Sequence, residues 1–196
     1  MIKIDDLIER ICQYGALAAR RYVEVSGEGL WTMPESFMPP FIFDRIGGTY
    51  STTLETSFEF LKECYEETRQ RRGLPSRAES NRLTELRQEL GWRRIDMVFF
   101  EGEEEGKPKK DQDAFALVEF KRGYVSEGDR EKLKMFLEYF DLWKWGVLSG
   151  WTTEDQRPTA RTESPWHEVK IELPAEIDST KCIFYAQYFS NPYFSA

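Results

Sequence analysis

The sequence predicts an α/β domain, with a central mixed sheet of four to five strands flanked by helices. Three observations carry that expectation. The runs Arg94–Phe100 and Ala114–Arg122 are apolar and strand-like, and the second places Phe115 and Leu117 on one face, Ala116 and Val118 on the other, as a buried central strand does. The stretches Ile4 to Tyr22 and Leu133 to Trp143 space apolar residues three and four apart, as an amphipathic helix does. Strand-like, helix-like and strand-like segments follow one another from Ala114 to Ser149, an order that crosses over right-handed and sets two strands parallel.

The elements follow in order. Ile4, Leu7, Ile8, Ile11, Cys12, Gly15, Ala18 and Tyr22 mark a first helix, which the small residues within Val25 to Leu30 break. Thr32-Met33-Pro34-Glu35 reads as a capping box with proline in the first turn. Pro39-Pro40 interrupts that helix, so a second short one is expected from Phe41 to Ile46, stopped by Gly47-Gly48. Thr49 to Glu55 is rich in strand formers. Helices from Ser57 to Arg72 and Asn81 to Leu90 are separated by Gly73-Leu74-Pro75-Ser76.

Glu101 to Asp113 is polar, with two glycines and a proline, and reads as a long exposed hairpin connection between two antiparallel strands. Ser126-Glu127-Gly128-Asp129 opens a helix whose Leu133, Phe136, Leu137, Phe140 and Trp143 form a core stripe. Gly146 ends it, and Val147-Leu148-Ser149 is the next strand. Trp166 to Leu173 and Ile183 to Phe189 alternate like two peripheral strands, and the last aromatics (Phe184, Tyr185, Tyr188, Phe189, Tyr193, Phe194) pack on the domain or supply a dimer surface. The whole reads as one domain, with a helical extension over 1–30, a core over 31–152 and a strand extension over 153–196.

Composition limits the function classes. With 196 residues, 32% charged and 40% hydrophobic, the chain has the balance of a soluble globular protein. It has no apolar run near the roughly 20 residues that cross a bilayer, and its N-terminus lacks a signal-peptide pattern. Cys12, Cys64 and Cys182 are odd in number and far apart, which suits reduced intracellular thiols and a cytoplasmic location. A single histidine, His167, excludes a multi-histidine metal site within one chain. No glycine-rich phosphate loop or nucleophile–histidine set supports a small-molecule enzyme.

The net charge of −8 opposes nucleic-acid binding. Yet Arg69 to Arg94 holds eight arginines against three glutamates, a balance of +5 that leaves −13 on the rest of the chain. This stretch is either a phosphate-contacting surface or a solvated helical face whose glutamates pair neighbouring arginines.

The chemistry-bearing residues are Asp96, Glu119 and Lys121. Glu119 and Lys121 are two apart and share a strand face. If Phe100 faces Phe115 in the hairpin, Asp96 faces Glu119, and two carboxylates and an ammonium converge at one end of the sheet. Such a cluster is costly unless a cation or an anionic substrate compensates it. The plainer reading is a salt-bridged strand terminus.

This pattern resembles the PD-(D/E)xK, or restriction-endonuclease-like, nuclease superfamily, in which an aspartate opens one strand, Glu-x-Lys closes the next, and a helix leads into another strand. Ile95 stands where the nominal proline would be. The resemblance covers roughly residues 30 to 152. It implies a metal-dependent endonuclease acting on DNA, with Asp96, Glu119 and the backbone carbonyl of Phe120 holding Mg²⁺, for which Mn²⁺ could substitute, and Lys121 acting on the attacking water or the phosphoryl group. The family usually adds an acid from a preceding helix. Glu35 is the first choice, with helix capping as its competing role; Glu55 is the second, with an edge carboxylate as its competing role. Arg71, Arg72, Arg93, Arg94 and Arg122 are the candidate nucleic-acid contacts. The resemblance also admits a homodimer, and gives no reason to expect a membrane partner. The alternative is a catalytically inactive binding or structural module on the same fold.

Overall fold

The fold is described from a computed structural model over residues 3–46, 50–101, 113–123, 126–156, 166–173 and 181–194. Its centre is one six-stranded sheet: β1 (Ser51–Ser57), β2 (Arg94–Glu101), β3 (Asp113–Arg122), β4 (Trp145–Thr153), β5 (Trp166–Ile171) and β6 (Cys182–Ser190). The strands lie in the order β1-β2-β3-β4-β6-β5. Only β3 and β4 run parallel; the other neighbours are antiparallel. The mixed α/β architecture is as expected, but six strands replace four to five.

Helices cover both faces. On one lie α1 (Ile4–Ser26) and α2 (Met38–Ile46), whose apolar stripes meet Met97, Phe99, Val118, Phe120, Val147 and Phe184 of the sheet. On the other lie α3 (Phe58–Arg71), α4 (Asn81–Leu90) and α5 (Glu127–Tyr139), packed on Val98, Phe100, Leu117 and Leu148. Burying apolar surface on both faces at about 25 cal/mol per Å² is the main force holding the three layers together.

Local chemistry sets most ends. Gly27, with φ of 69°, closes α1, its N–H donating to the Val23 carbonyl. Ser57 and Ser80 accept from Phe60 N–H and Leu83 N–H to cap α3 and α4. Ser126 and Asp129 form a reciprocal capping box on α5.

Several expectations are corrected. Pro39 and Pro40 do not interrupt a helix; they sit in the first turn of α2, where a missing N–H costs nothing. Thr32 to Glu35 is not a capping box, because the chain there makes two short 3₁₀ turns, Leu30–Thr32 and Glu35–Phe37. α5 stops at Tyr139, six residues before β4 begins, so Trp143 packs from the connection. β6 is not peripheral: it lies between β4 and β5, and its residues Cys182 to Gln187 are all buried. The expected 101–113 connection falls, over 102–112, outside the described residues, as do Gly47 and Gly48.

The β2–β3 register was expected to pair Phe100 with Phe115. A β-bulge instead sets Phe100 opposite Ala114 and Phe99 opposite Ala116. Beyond it the ladder ends at the pair Met97–Val118, and Asp96 and Glu119 are the next residues along the two strands. The expected Phe100–Phe115 pair is replaced, and the irregularity lies at the end of the ladder away from Asp96 and Glu119.

Gly15 illustrates the close fit of α1 on the sheet. A Cβ there would come within 3.0 Å of three carbons of the buried Phe184 ring. Gly15→Ala is therefore expected to cost about 1–3 kcal/mol by overpacking, read as a lowered urea midpoint with an unchanged m-value. Stability equal to wild type would mean that α1 can shift freely on β6. Among the described residues, no helix is long and apolar enough to cross a membrane.

Candidate active site

The site forms where the first residues of β2, the last residues of β3 and the first turns of α5 meet. Asp96 accepts a hydrogen bond from the Phe120 N–H over 2.7 Å. In an extended strand the N–H and C=O of one residue leave on the same side, which turns the Phe120 carbonyl toward Asp96 as well. Glu119, 3% exposed, is the most buried charged group of the cluster.

Both Glu119 oxygens face ammonium groups. Lys132 Nζ on α5 lies 2.7 Å from Oε2 and Lys121 Nζ lies 3.5 Å from Oε1. Lys121 is shared further, at 3.4 Å from Asp129 Oδ1 and 3.9 Å from Glu35 Oε2. Glu35, in the 3₁₀ turn before α2, also accepts from the Arg122 N–H at 2.9 Å. The strand end is pinned by Gly123, whose N–H donates to the Trp151 carbonyl and whose own carbonyl accepts from the Tyr185 hydroxyl.

Asp96 and Lys121 both titrate abnormally. Burial, and then the charge of Glu119, push the Asp96 carboxyl up to about 7; the Phe120 N–H, Lys132 and Lys121 pull it back only in part. For Lys121, burial disfavours the ammonium, but Glu119, Asp129 and Glu35 outweigh it and hold its pKa above the ordinary value. Four carboxylates (Asp96, Glu119, Asp129, Glu35) thus share two ammoniums (Lys121, Lys132), leaving a deficit of two positive charges when all are ionised.

Of the expected site residues, Asp96, Glu119, Lys121 and Glu35 come together. Glu35 makes no side-chain cap; that turn begins after Pro34. Glu55 lies level with Asp96 between the pairs Leu54–Met97 and Thr56–Ile95, but its backbone is left-handed (φ 48°) and it is exposed. That conformation is uncommon for a residue with a Cβ. With Arg94, Glu55 lines an open cavity of about 330 Å³ at the β1 edge.

The basic stretch divides. Arg71 and Arg72 both pair with Asp113 at 2.6 Å, at the start of β3 and about 26 Å along the strand from Lys121 at 3.3 Å per residue. Arg77 and Arg82 tie α4 and the segment before it to Asp141 and Glu138 near the end of α5. Arg71, Arg72, Arg77 and Arg82 therefore pair with carboxylates of neighbouring elements. Arg93 sits 5.1 Å from the Trp92 ring centroid and 3.3 Å from Glu89, while Arg94 and Arg122 are exposed; Arg122 also donates to the Trp31 carbonyl.

Three residues were missed from the sequence. Asp129 and Lys132 lie one turn apart on α5, so the capping box that orients Asp129 toward Lys121 also turns Lys132 toward Glu119. That i,i+3 relation was legible. Trp92, 75% exposed, had no readable signal beyond its neighbours Arg93 and Arg94.

Among the described residues no three His, Cys, Asp or Glu side chains form a ready metal-binding group. The available donors are two carboxylates and a main-chain carbonyl, hard oxygens that suit Mg²⁺ or Mn²⁺ with retained waters. The charge deficit equals that of one divalent cation, so the donor set fits such an ion. No protein-family model matches the chain, and no curated protein or solved structure matches it either.

Proposed function

We propose that this protein is a metal-dependent nuclease that hydrolyses phosphodiester bonds of DNA. The observation that carries the reading is that Asp96, Glu119 and Lys121, on neighbouring ends of β2 and β3, belong to a cluster of four carboxylates and two lysines that is short of two positive charges. Support comes also from the order of elements: an aspartate at the start of β2, Glu-x-Lys at the end of β3, then α5 and the parallel strand β4. That order is the one the PD-(D/E)xK resemblance implies, and with it a restriction-endonuclease-like core.

Asp96, Glu119 and the Phe120 carbonyl would hold Mg²⁺, with Mn²⁺ as substitute. When bound, the ion would polarise the scissile phosphate and acidify a water. Lys121, held cationic by its three carboxylate neighbours, would orient that water or balance charge growing on the phosphoryl oxygens. Glu35 would position this machinery by gripping both Lys121 and the Arg122 backbone. Trp92 offers an exposed stacking face for an unpaired base, beside the exposed Arg94. The three buried thiols suit a reducing cytoplasm. Pairing of two subunits would serve cleavage of both strands.

The test is nicking of plasmid and single-stranded DNA with Mg²⁺ or Mn²⁺. Lys121→Ala is expected to lose about 10²-fold or more in kcat, and Trp92→Ala to raise KM for single strands with kcat nearly unchanged. Cleavage unaltered by Lys121→Ala would sink the assignment. One observation favours a non-catalytic module instead: both Glu119 oxygens are already in ion pairs. That reading requires that Mn²⁺ neither bind nor raise the melting temperature.

A further inference from the structure

Lys132 has an unusual position. Its ammonium lies 2.7 Å from Glu119 Oε2, and both side chains are shielded, at 16% and 4% exposure. Glu119 is its one ion-pair partner among the described residues. Lys121, by contrast, has Asp129 and Glu35 to retain it when it leaves Glu119. A cation arriving at Glu119 must displace one of the two ammoniums, and Lys132 is the one that blocks Oε2. Once displaced, it is a shielded positive charge whose nearby carboxylates, Glu119 and Asp96, are both taken by the ion, an expensive state unless an anion replaces them.

We propose that Lys132 is an internal counter-ion that occupies the metal's place on Glu119 and, once displaced, hands its ammonium to the substrate phosphate. The inference rests on the nuclease reading and adds a residue to it. Metal-free, the buried carboxylate is neutralised from within and the fold stays intact. Loaded, the same lysine becomes a phosphate contact, so binding of the ion and of the DNA backbone favour one another. The two lysines then divide the labour: Lys121 remains tethered among carboxylates, and Lys132 moves.

The experiment is calorimetric titration of Mn²⁺ into the full chain, wild type against Lys132→Met, with cleavage rates at saturating Mn²⁺ and melting temperatures in chelator. Removing the competitor is expected to tighten Mn²⁺ binding about tenfold, the scale of one lost charge-assisted hydrogen bond. Metal-free melting falls, because Glu119 loses its nearest neutralising partner, and cleavage at saturating Mn²⁺ falls about 10-fold or more. Lys132→Gln, which keeps a donor without the charge, repeats the comparison should the methionine variant fold poorly. A merely structural lysine would not raise metal affinity on removal. Equal or weaker binding in both variants overturns the inference and leaves the nuclease reading standing. Tighter binding with cleavage at the wild-type rate overturns the hand-over to phosphate. No Mn²⁺ binding by wild type overturns both.

Discussion

Asp96→Asn is expected to abolish Mn²⁺-dependent cleavage, by about 10³-fold or more, while making the metal-free protein more stable than wild type. The asparagine keeps an oxygen for the Phe120 N–H that Asp96 now accepts over 2.7 Å, so local geometry is preserved. What it removes is a negative charge on a half-buried carboxylate beside Glu119. The folded carboxyl titrates at about 7 against an ordinary 3.8, so folding favours its protonated form. That stabilising contribution is whole below about pH 4, is lost as pH rises through about 7, and is absent at pH 8. The variant carries no such group. Denaturation curves taken in chelator should therefore converge near pH 4 and separate by about 1–3 kcal/mol at pH 8, with the variant the more stable. The gap is less than the full linkage value because Glu119 is itself relieved when its neighbour loses charge. Identical stabilities at pH 8 would show that the two carboxylates do not strain one another, and would remove the electrostatic case for a cation.

Gly150→Ala is expected to be the most destabilising small substitution in the sheet, costing about 3 kcal/mol or more. Gly150 pairs with Lys121 across the parallel β3–β4 ladder. A Cβ at that position would sit within 3.0 Å of the Lys121 carbonyl oxygen and 2.9 Å from its carbonyl carbon. Both obstacles are main chain, so no rotamer change relieves them; the strands must part at the residue that carries the ammonium of the site. The same substitution at Gly128, where a Cβ meets only the Ser126 Oγ at 3.5 Å, should instead be neutral or stabilise α5 by up to about 1 kcal/mol. Urea unfolding of the pair reads the contrast. Activity per folded molecule should also drop in Gly150→Ala, since Lys121 is displaced even where the fold survives. A variant as stable as wild type would mean that β4 approaches β3 less closely than described.

Much of the local architecture was legible because it depends on neighbours in sequence. Asn81–Leu90 forms α4 with the bounds its pattern suggests, because Ser80 is a good cap and Leu83, Leu86 and Leu90 recur on one face. Ser126 and Asp129 announced α5 for the same kind of reason. That Asp96 and Glu119 stand at neighbouring ends of β2 and β3 was legible too, since alternation along two strands and an antiparallel hairpin suffice to place them there. The cation-rich stretch was legible as charge but not as pairing. Charge counts register arginines but not their partners: Arg72 pairs with Asp113, 41 positions away, and Arg82 with Glu138, 56 positions away.

By itself the sequence determined most of the helix and strand segments, and which strand faces carry Asp96, Glu119 and Lys121, because those properties follow from periodicity and caps. The tertiary structure alone decided that β6 slots between β4 and β5, that Glu35 and not Glu55 reaches Lys121, and that Lys132 comes down from α5 onto Glu119. Those outcomes depend on how layers pack over a sheet, where contacts between distant residues are chosen by shape and charge together, and no short-range pattern encodes that choice.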